Sequence, residues 1–348
     1  MPAAQNSFNT DIASGSRPLA GKYRHGVLKR LSTLARHLLI STALLMPMAA
    51  AQAAEEEPDL TFEPLFELLE QEPVFTETVK GEKLTIKLDF MHLIPGEQGQ
   101  TARPWDKAAR APFVKGVKRW MEIIKGVKNK AHHELTVRVA VFDLKDYANG
   151  VADLHYDELV ITDGNILPTL GYIAVHKDFY LGDPKAFGFP NQKELDQEFD
   201  ANILHELGHV FGIGTLWNLH KTPDGFIEPA EPNNATYRNW VTRSKSGAGY
   251  SYQKPNSAAV KAFNTTFHMN LSFLPATQGH LYNASEHKEE FKDTGIRKTH
   301  SGEIIPSMSE ELMGHGMTLS SITIGLLDDL GWDVNYSTAE PLPQTVSQ

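Results

Sequence analysis

The segment that most constrains this chain runs from Ala201 to Trp217 and reads ANILHELGHVFGIGTLW. Residues four apart in a helix lie one turn apart on the same face, so His205 and His209 can direct their imidazoles at one ion. Glu206 follows the first histidine, where its carboxylate can reach a water molecule bound to that ion and take its proton. The spacing therefore predicts a helix that carries two zinc ligands and a general base.

The residues around this motif predict a helix with two different faces. Apolar residues recur every fourth position and form a stripe on one side: Leu195, Phe199, Ile203 and Leu207. Asn202 lies with His205 and His209 on another face. Gly212 and Gly214 predict the end of the helix, because glycine readily adopts left-handed backbone angles. The alternative interpretation is a surface helix with two solvated histidines and no metal.

The composition limits the ligands and partners that are possible. The chain has 348 residues, enough for one large or two small domains, and its formal net charge of −10 argues against nucleic acid as a partner. It contains no cysteine, which excludes thiolate ligands, cysteine nucleophiles and disulfides. Any metal must therefore be held by histidine, aspartate or glutamate.

Residues 1–53 have the pattern of a signal peptide. A basic region precedes a short apolar run from Leu38 to Met46, and Ala51-Gln52-Ala53 provides small residues at a cleavage site. The apolar run is much shorter than the roughly 20 residues that a membrane-spanning helix requires. We therefore expect an exported protein, secreted or periplasmic, with no stable membrane anchor after the signal is removed.

The remaining chain is predicted to form two subdomains after an acidic arm or short pro-segment at residues 54–82. The N-terminal subdomain, residues 83–216, combines strands and helices. Its strands are predicted over 83–92, 134–143 and 170–175, and its helices over 105–127 and from about Gln192 through the motif. The strand over 170–175 is the last before the motif helix, and we expect it to form the open edge of the sheet, where an extended peptide could add as a strand.

The C-terminal subdomain, residues 217–336, is loop-rich, and helices are predicted over 257–263 and 319–330. Two acidic pairs, Glu310-Glu311 and Asp328-Asp329, are expected to be solvated helix ends. Residues 337–348 form a polar, proline-containing tail that we expect to be disordered. The whole pattern predicts an α+β, zincin-like fold with a twisted mixed sheet, an active-site helix and a mainly helical C-terminal subdomain.

A catalytic zinc site uses three protein ligands and one water molecule, so a third ligand is needed. The compact metzincin spacing would place it ten residues after His205, but Thr215 occupies that position. The third ligand must therefore come from further along the chain. The downstream histidines are the candidates: His220, His268, His280, His287, His300 and His315.

Two blocks of sequence resemble the leishmanolysin-like metallopeptidases, in particular their cysteine-free bacterial relatives. One is HELGHVFGIGTLW, and the other is Glu311-Leu312-Met313 followed by LSSITIG over residues 319–325. The resemblance covers roughly residues 83–336, although these two blocks carry it. It implies a zinc endopeptidase that hydrolyses protein or peptide substrates.

The resemblance also implies a role for individual residues. His205 and His209 match the first two zinc ligands, Glu206 matches the general base, and Met313 matches the methionine of a turn beneath the zinc. The third ligand maps best to His300, which lies thirteen residues before Met313. The alternatives are His287 and His280.

Two other functions are compatible with the same residues. One is a zinc-binding surface or adhesion module without catalysis, and the other is a zinc hydrolase that acts on a non-peptide amide. Glu206 argues against the first, because structural zinc needs no general base. No sequence feature indicates the oligomeric state.

Overall fold

The computed structural model describes residues 67–92, 104–144, 149–185, 187–243, 249–277, 279–283, 298 and 302–343. Residues 1–53, which carry the predicted signal peptide, lie outside these ranges. The described chain is a mixed α/β structure with a mixed sheet, consistent with the predicted α+β class. None of its described helices combines the length and apolar character needed to cross a membrane.

The strands are β1 (Phe75–Lys80), β2 (Leu84–Phe90), β3 (Ile124–Val127), β4 (His133–Phe142), β5 (Gly150–Leu154), β6 (Leu159–Thr162), β7 (Asn165–Pro168), β8 (Leu170–His176), β9 (Asn218–Lys221), β10 (Ile227–Pro229), β11 (Arg238–Asn239), β12 (Val241–Arg243), β13 (Tyr250–Tyr252), β14 (Leu274–Ala276) and β15 (Trp332–Val334). The helices are α1 (Lys107–Ile123), α2 (Lys177–Leu181), α3 (Gln192–Val210), α4 (Ala258–Phe267) and α5 (Ser321–Leu330). Short 3-10 turns cover Tyr156–Glu158, Leu312–Gly314 and Tyr336–Thr338.

The main sheet has the strand order β1-β2-β4-β8-β5. Strands β2, β4 and β8 are parallel, whereas β1 and β5 pair antiparallel at the two ends. The predicted strand over 170–175 exists as β8, but its prediction as the edge strand is wrong, because β5 lies outside it. Strand β5 was not predicted, since its sequence GVADL contains Gly, Ala and Asp, which are uncommon in strands.

Helix α1 packs against the motif helix α3 on one face of this sheet. Asp106 caps α1 by accepting a hydrogen bond from the Ala109 amide at 2.8 Å. Gly116 allows the helices to approach closely, because a Cβ at this position would lie 2.9 Å from Leu207 Cδ1. The predicted helix over 105–127 ends at Ile123, and the residues that follow form β3, which pairs with β15 from the far end of the chain.

The C-terminal region is not mainly helical, contrary to prediction. Two small three-stranded sheets, β10-β9-β11 and β12-β13-β14, accompany helices α4 and α5. The described part of the predicted disordered tail is held against the domain as far as Glu340. This residue forms an ion pair with Arg119 at 2.7 Å and accepts a hydrogen bond from the Leu319 amide at 3.0 Å.

One apolar cluster joins the predicted N-terminal and C-terminal subdomains. Phe211 lies between Trp120 of α1 and Trp332 of β15, with ring centroids 5.5 Å apart in both pairs. A smaller cluster on the other face of the sheet contains Leu68 and Leu69, which belong to the predicted acidic arm. The motif helix is therefore held in a core built from both ends of the described chain.

Candidate metal centre

The motif helix α3 forms over the predicted range. Asn191 caps its first turn by accepting a hydrogen bond from the Glu194 amide at 3.1 Å. The predicted apolar stripe faces the core, and both Ile203 and Leu207 are completely buried. The helix ends at Val210, and Gly212 follows with a left-handed φ of 104°.

Three buried histidines converge at one point, two from α3 and one from the segment after β14. His209 Nε2 lies 3.1 Å from His205 Nε2 and 3.0 Å from His280 Nε2. The interpretation of α3 as a surface helix with solvated histidines is therefore wrong. Each of the three side chains is less than a tenth exposed.

The tautomers of the two helix histidines follow from their hydrogen bonds. His205 Nδ1 lies 2.7 Å from the Leu312 carbonyl oxygen, and His209 Nδ1 lies 2.8 Å from the Ile213 carbonyl oxygen. Because a carbonyl oxygen can only accept, each Nδ1 carries the proton and each Nε2 presents a lone pair. Burial lowers the pKa of His205 to about 4 and that of His209 to about 3, so both rings are neutral at neutral pH.

The donor set fits a divalent metal ion. The Nε2 lone pairs of His205 and His209 lie 3.1 Å apart and repel each other unless a cation lies between them. Tetrahedral zinc with zinc–nitrogen bonds of about 2.0–2.1 Å requires nitrogens roughly 3.3 Å apart, close to the distances in this cluster. Three buried imidazoles of the described chain therefore lie close enough together to hold one metal ion.

Two glycines in contact bring His280 to the helix. Gly214 has a φ of 80°, and a Cβ at this position would lie 2.2 Å from the Gly279 carbonyl oxygen. The His280 segment is also held by the turn around Met313, because the Leu281 amide donates to the Met313 carbonyl oxygen at 2.9 Å. Gly214, four residues after the end of the helix, therefore makes room for the residue that precedes the third histidine.

We expect Gly214→Ala to weaken metal binding as well as stability, because the new methyl group must push the Gly279 backbone and His280 away. Gly164→Ala is the matched control, since Gly164 has a φ of 78° and no neighbour within 4 Å of a Cβ. Both variants suffer the backbone strain of alanine at positive φ, about 1 kcal/mol. Zinc titration of the two proteins should show a lower affinity only for Gly214→Ala, and equal affinities would contradict this role for the glycine contact.

The other candidate third ligands have different positions. His287 and His300 lie outside the described residues. His220 lies in β9, where its Nδ1 forms a hydrogen bond with Thr236 Oγ1 at 2.6 Å, and His268 ends helix α4 with a φ of 56°. The ring of His315 packs beside those of His280 and His205, with centroids 4.4 and 4.9 Å away, but His315 is not part of the group of converging nitrogens.

Glu206 lies beside the histidines with its carboxylate in a buried, poorly solvated position. Its Oε2 has no hydrogen-bond partner among the described residues, and burial raises its pKa to about 8. Strand β5 lies directly against it, because a Cβ on Gly150 would be 3.2 Å from Glu206 Cγ and 2.4 Å from Asn202 Oδ1. A nearby cation would favour the charged carboxylate and lower this pKa again.

The raised pKa predicts an unusual pH dependence for the metal-free protein. A carboxyl group whose folded pKa exceeds its unfolded value contributes stability below the unfolded pKa and loses it as the pH rises through the folded pKa. The metal-free wild type should therefore lose stability relative to Glu206→Gln between about pH 4.5 and about pH 8, by on the order of a few kcal/mol. Thermal unfolding of both proteins in chelator across this range measures the difference, and parallel curves would contradict the prediction.

Met313, for which the resemblance predicts a place in a turn beneath the zinc, packs against the motif helix. A Cβ on Gly208 would lie 2.6 Å from Met313 Sδ, so the glycine between the two helix histidines makes room for the sulfur. Met313 and its neighbour Leu312 are completely buried. The same turn supplies the Leu312 carbonyl that orients His205.

Two residues predicted to be solvated are instead buried carboxylates. Glu311 is completely buried and Asp329 is 5% exposed. Asp329 accepts from Tyr252 Oη at 3.1 Å, from the Ala258 amide at 2.8 Å and from Ser257 Oγ. In the same pairs, Glu310 is exposed and Asp328 is partly exposed. A hydroxyl pair at Ser320 and Thr323, which flanks the start of α5, is the sequence feature that could have indicated a buried acceptor.

Comparison of the chain with protein-family models and with curated proteins finds no match.

Proposed function

We propose that this protein is a zinc-dependent endopeptidase of the zincin type. The observation that carries the proposal is the convergence of three buried imidazoles beside the buried carboxylate of Glu206, whose Oε2 has no hydrogen-bond partner among the described residues. Neither a structural zinc site nor a solvated helix needs such a carboxylate. The resemblance to leishmanolysin-like enzymes supports the same proposal from the sequence.

We assign His280 as the third ligand in preference to His300. It is one of the sequence alternatives, and its Nε2 already lies 3.0 Å from that of His209. With three imidazoles in place, one corner of a tetrahedral site is left for water, as catalysis requires. A zinc ion bound there would act as a Lewis acid that acidifies this water and polarises the scissile carbonyl group.

The residues of the chain then have separate tasks in hydrolysis. Glu206 accepts the proton of the attacking water at its carboxylate and delivers it to the nitrogen of the leaving amine. The Leu312 and Ile213 carbonyls hold the rings of His205 and His209 in the tautomer that leaves each Nε2 free. No side chain needs to form a covalent bond with the substrate.

Strand β5 supports a peptide as the substrate. The Asn149 carbonyl and the His155 amide form hydrogen bonds with the backbone of β8. Because the direction of backbone hydrogen bonding alternates along an antiparallel strand, the N–H and C=O groups of Gly150 and Ala152 point away from β8. Gly150 also lies against Glu206, because a Cβ on this glycine would be 3.2 Å from Glu206 Cγ. A peptide that adds alongside β5 would pass next to the proposed general base.

The proposal predicts cleavage of an unstructured protein by the purified mature chain. We expect hydrolysis of fluorescently quenched casein, its loss in 1,10-phenanthroline and its recovery when zinc is restored. Zinc binding without cleavage of casein or of a mixed peptide library would favour the non-catalytic binding module. Cleavage of small acyl amides but of no peptide would favour the alternative amide hydrolase.

A further inference from the structure

We infer that Glu311 is a positioning residue for the metal ligands, although it touches none of them. This inference rests on the proposed metal site and adds a residue to its machinery. Glu311 lies at the start of the turn Leu312–Gly314, and its side chain is completely buried. Among the described residues, the backbone of that turn connects it to the histidine segments.

The Glu311 carboxylate is surrounded by donors from the turn and from the start of α5. Oε2 accepts from the Met313 amide at 3.2 Å and from Thr323 Oγ1 at 2.6 Å. Oε1 accepts from Ser320 Oγ at 2.6 Å and from the amides of Ser320 and Thr323 at 3.2 Å. The two oxygens therefore fix the turn to the first turn of helix α5.

The turn held in this way contacts two of the three ligand segments. Its Leu312 carbonyl accepts from His205 Nδ1 at 2.7 Å, which sets the ring orientation and tautomer. Its Met313 carbonyl accepts from the Leu281 amide at 2.9 Å, immediately after His280. Its Gly314 carbonyl accepts from Asn283 Nδ2 at 3.0 Å. A shift of the turn would therefore move His205 and His280 relative to each other.

Glu311→Gln should disturb this arrangement without changing the size of the side chain. An amide has one acceptor oxygen and one NH₂ group, and either orientation turns the NH₂ group toward a backbone N–H, that of Met313 or those of Ser320 and Thr323. Loss of a group that orients a metal ligand typically lowers metal affinity 10–100-fold. We expect a loss of about this size for Glu311→Gln.

Asp329→Asn provides a matched control. Asp329 is also a buried carboxylate that accepts backbone and hydroxyl donors at the start of a helix, in this case α4. It has no hydrogen bond to the turn or to the histidine segments among those the structure describes. A purely structural role for Glu311 would make the two variants similar in both stability and metal affinity.

The experiment measures binding of Co²⁺ and Zn²⁺ to the folded, metal-free mature proteins. The absorption bands of Co²⁺ report the ligand geometry, and competition with a chelating dye gives the zinc affinity. Glu311→Gln should show weaker binding and altered bands, whereas Asp329→Asn should match the wild type in both. If Glu311→Gln fails to fold, Thr323→Val removes one of the five donors and should show a smaller change in the same direction.

Two results would overturn the inference: unchanged metal affinity and bands in Glu311→Gln, or equal losses in Glu311→Gln and Asp329→Asn. Failure of the metal centre itself looks different, since the wild type would then bind neither ion. These measurements use no substrate, so an error about peptide hydrolysis would not affect them.

Discussion

Replacement of Glu206 by glutamine should leave metal binding intact and abolish nearly all peptide hydrolysis. The amide has nearly the same shape, and Glu206 is not among the three groups that converge on the metal position. It cannot accept a proton, however, so the step from water to leaving amine loses its general base. General base catalysis typically contributes a factor of 10²–10⁴, and we expect kcat/KM to fall by about that factor or more.

The measurement compares zinc content, by atomic emission, with the rate of cleavage of a quenched peptide. Glu198→Gln is the control, because Glu198 lies two turns earlier on the same helix and is not part of the metal cluster. Wild-type turnover in Glu206→Gln would disprove the general-base assignment. Loss of zinc in that variant would instead show that Glu206 is required to build the site.

The motif helix could be predicted from the sequence because its information is local. The apolar period and the glycines that mark its end lie within α3 and the residues just after it, and the structure has both. The strands of the sheet interior were predictable for the same reason, since β2 and β4 alternate apolar and polar residues. The short edge strand β5 was missed because its position depends on pairing with β8 rather than on its own residues.

The third histidine of the cluster shows why the rest of the site could not be predicted. His280 reaches the helix through a contact between Gly214 and Gly279, 65 positions apart in the sequence, and no local pattern encodes that contact. The burial of Glu311 likewise depends on hydroxyl donors that lie 9 and 12 positions further along the chain, and the fold must bring them to its carboxylate. The sequence could restrict the third ligand to a small set of histidines, but the choice within the set depends on tertiary contacts.

Alanine substitution of that set should identify His280 as the ligand. His280→Ala removes one of the three imidazoles and leaves two to hold the ion. Loss of a residue that only supports a ligand typically lowers metal affinity 10–100-fold, so loss of a ligand should lower zinc affinity by more than about 100-fold. Because catalysis depends on the ion, hydrolysis should fall with zinc occupancy. His300→Ala should keep zinc, and His220→Ala provides a control from the separate sheet that contains β9.

Addition of excess zinc distinguishes a residue that binds the metal from a residue that contacts the substrate. If His280 is a ligand, zinc at concentrations above the weakened dissociation constant should restore occupancy of His280→Ala and part of its activity. Loss of zinc in His300→Ala together with normal zinc binding in His280→Ala would instead assign His300 as the third ligand. The contact of Gly214 with Gly279 would then stabilise the fold without positioning a metal ligand. In that case Gly214→Ala should lower stability without lowering zinc affinity.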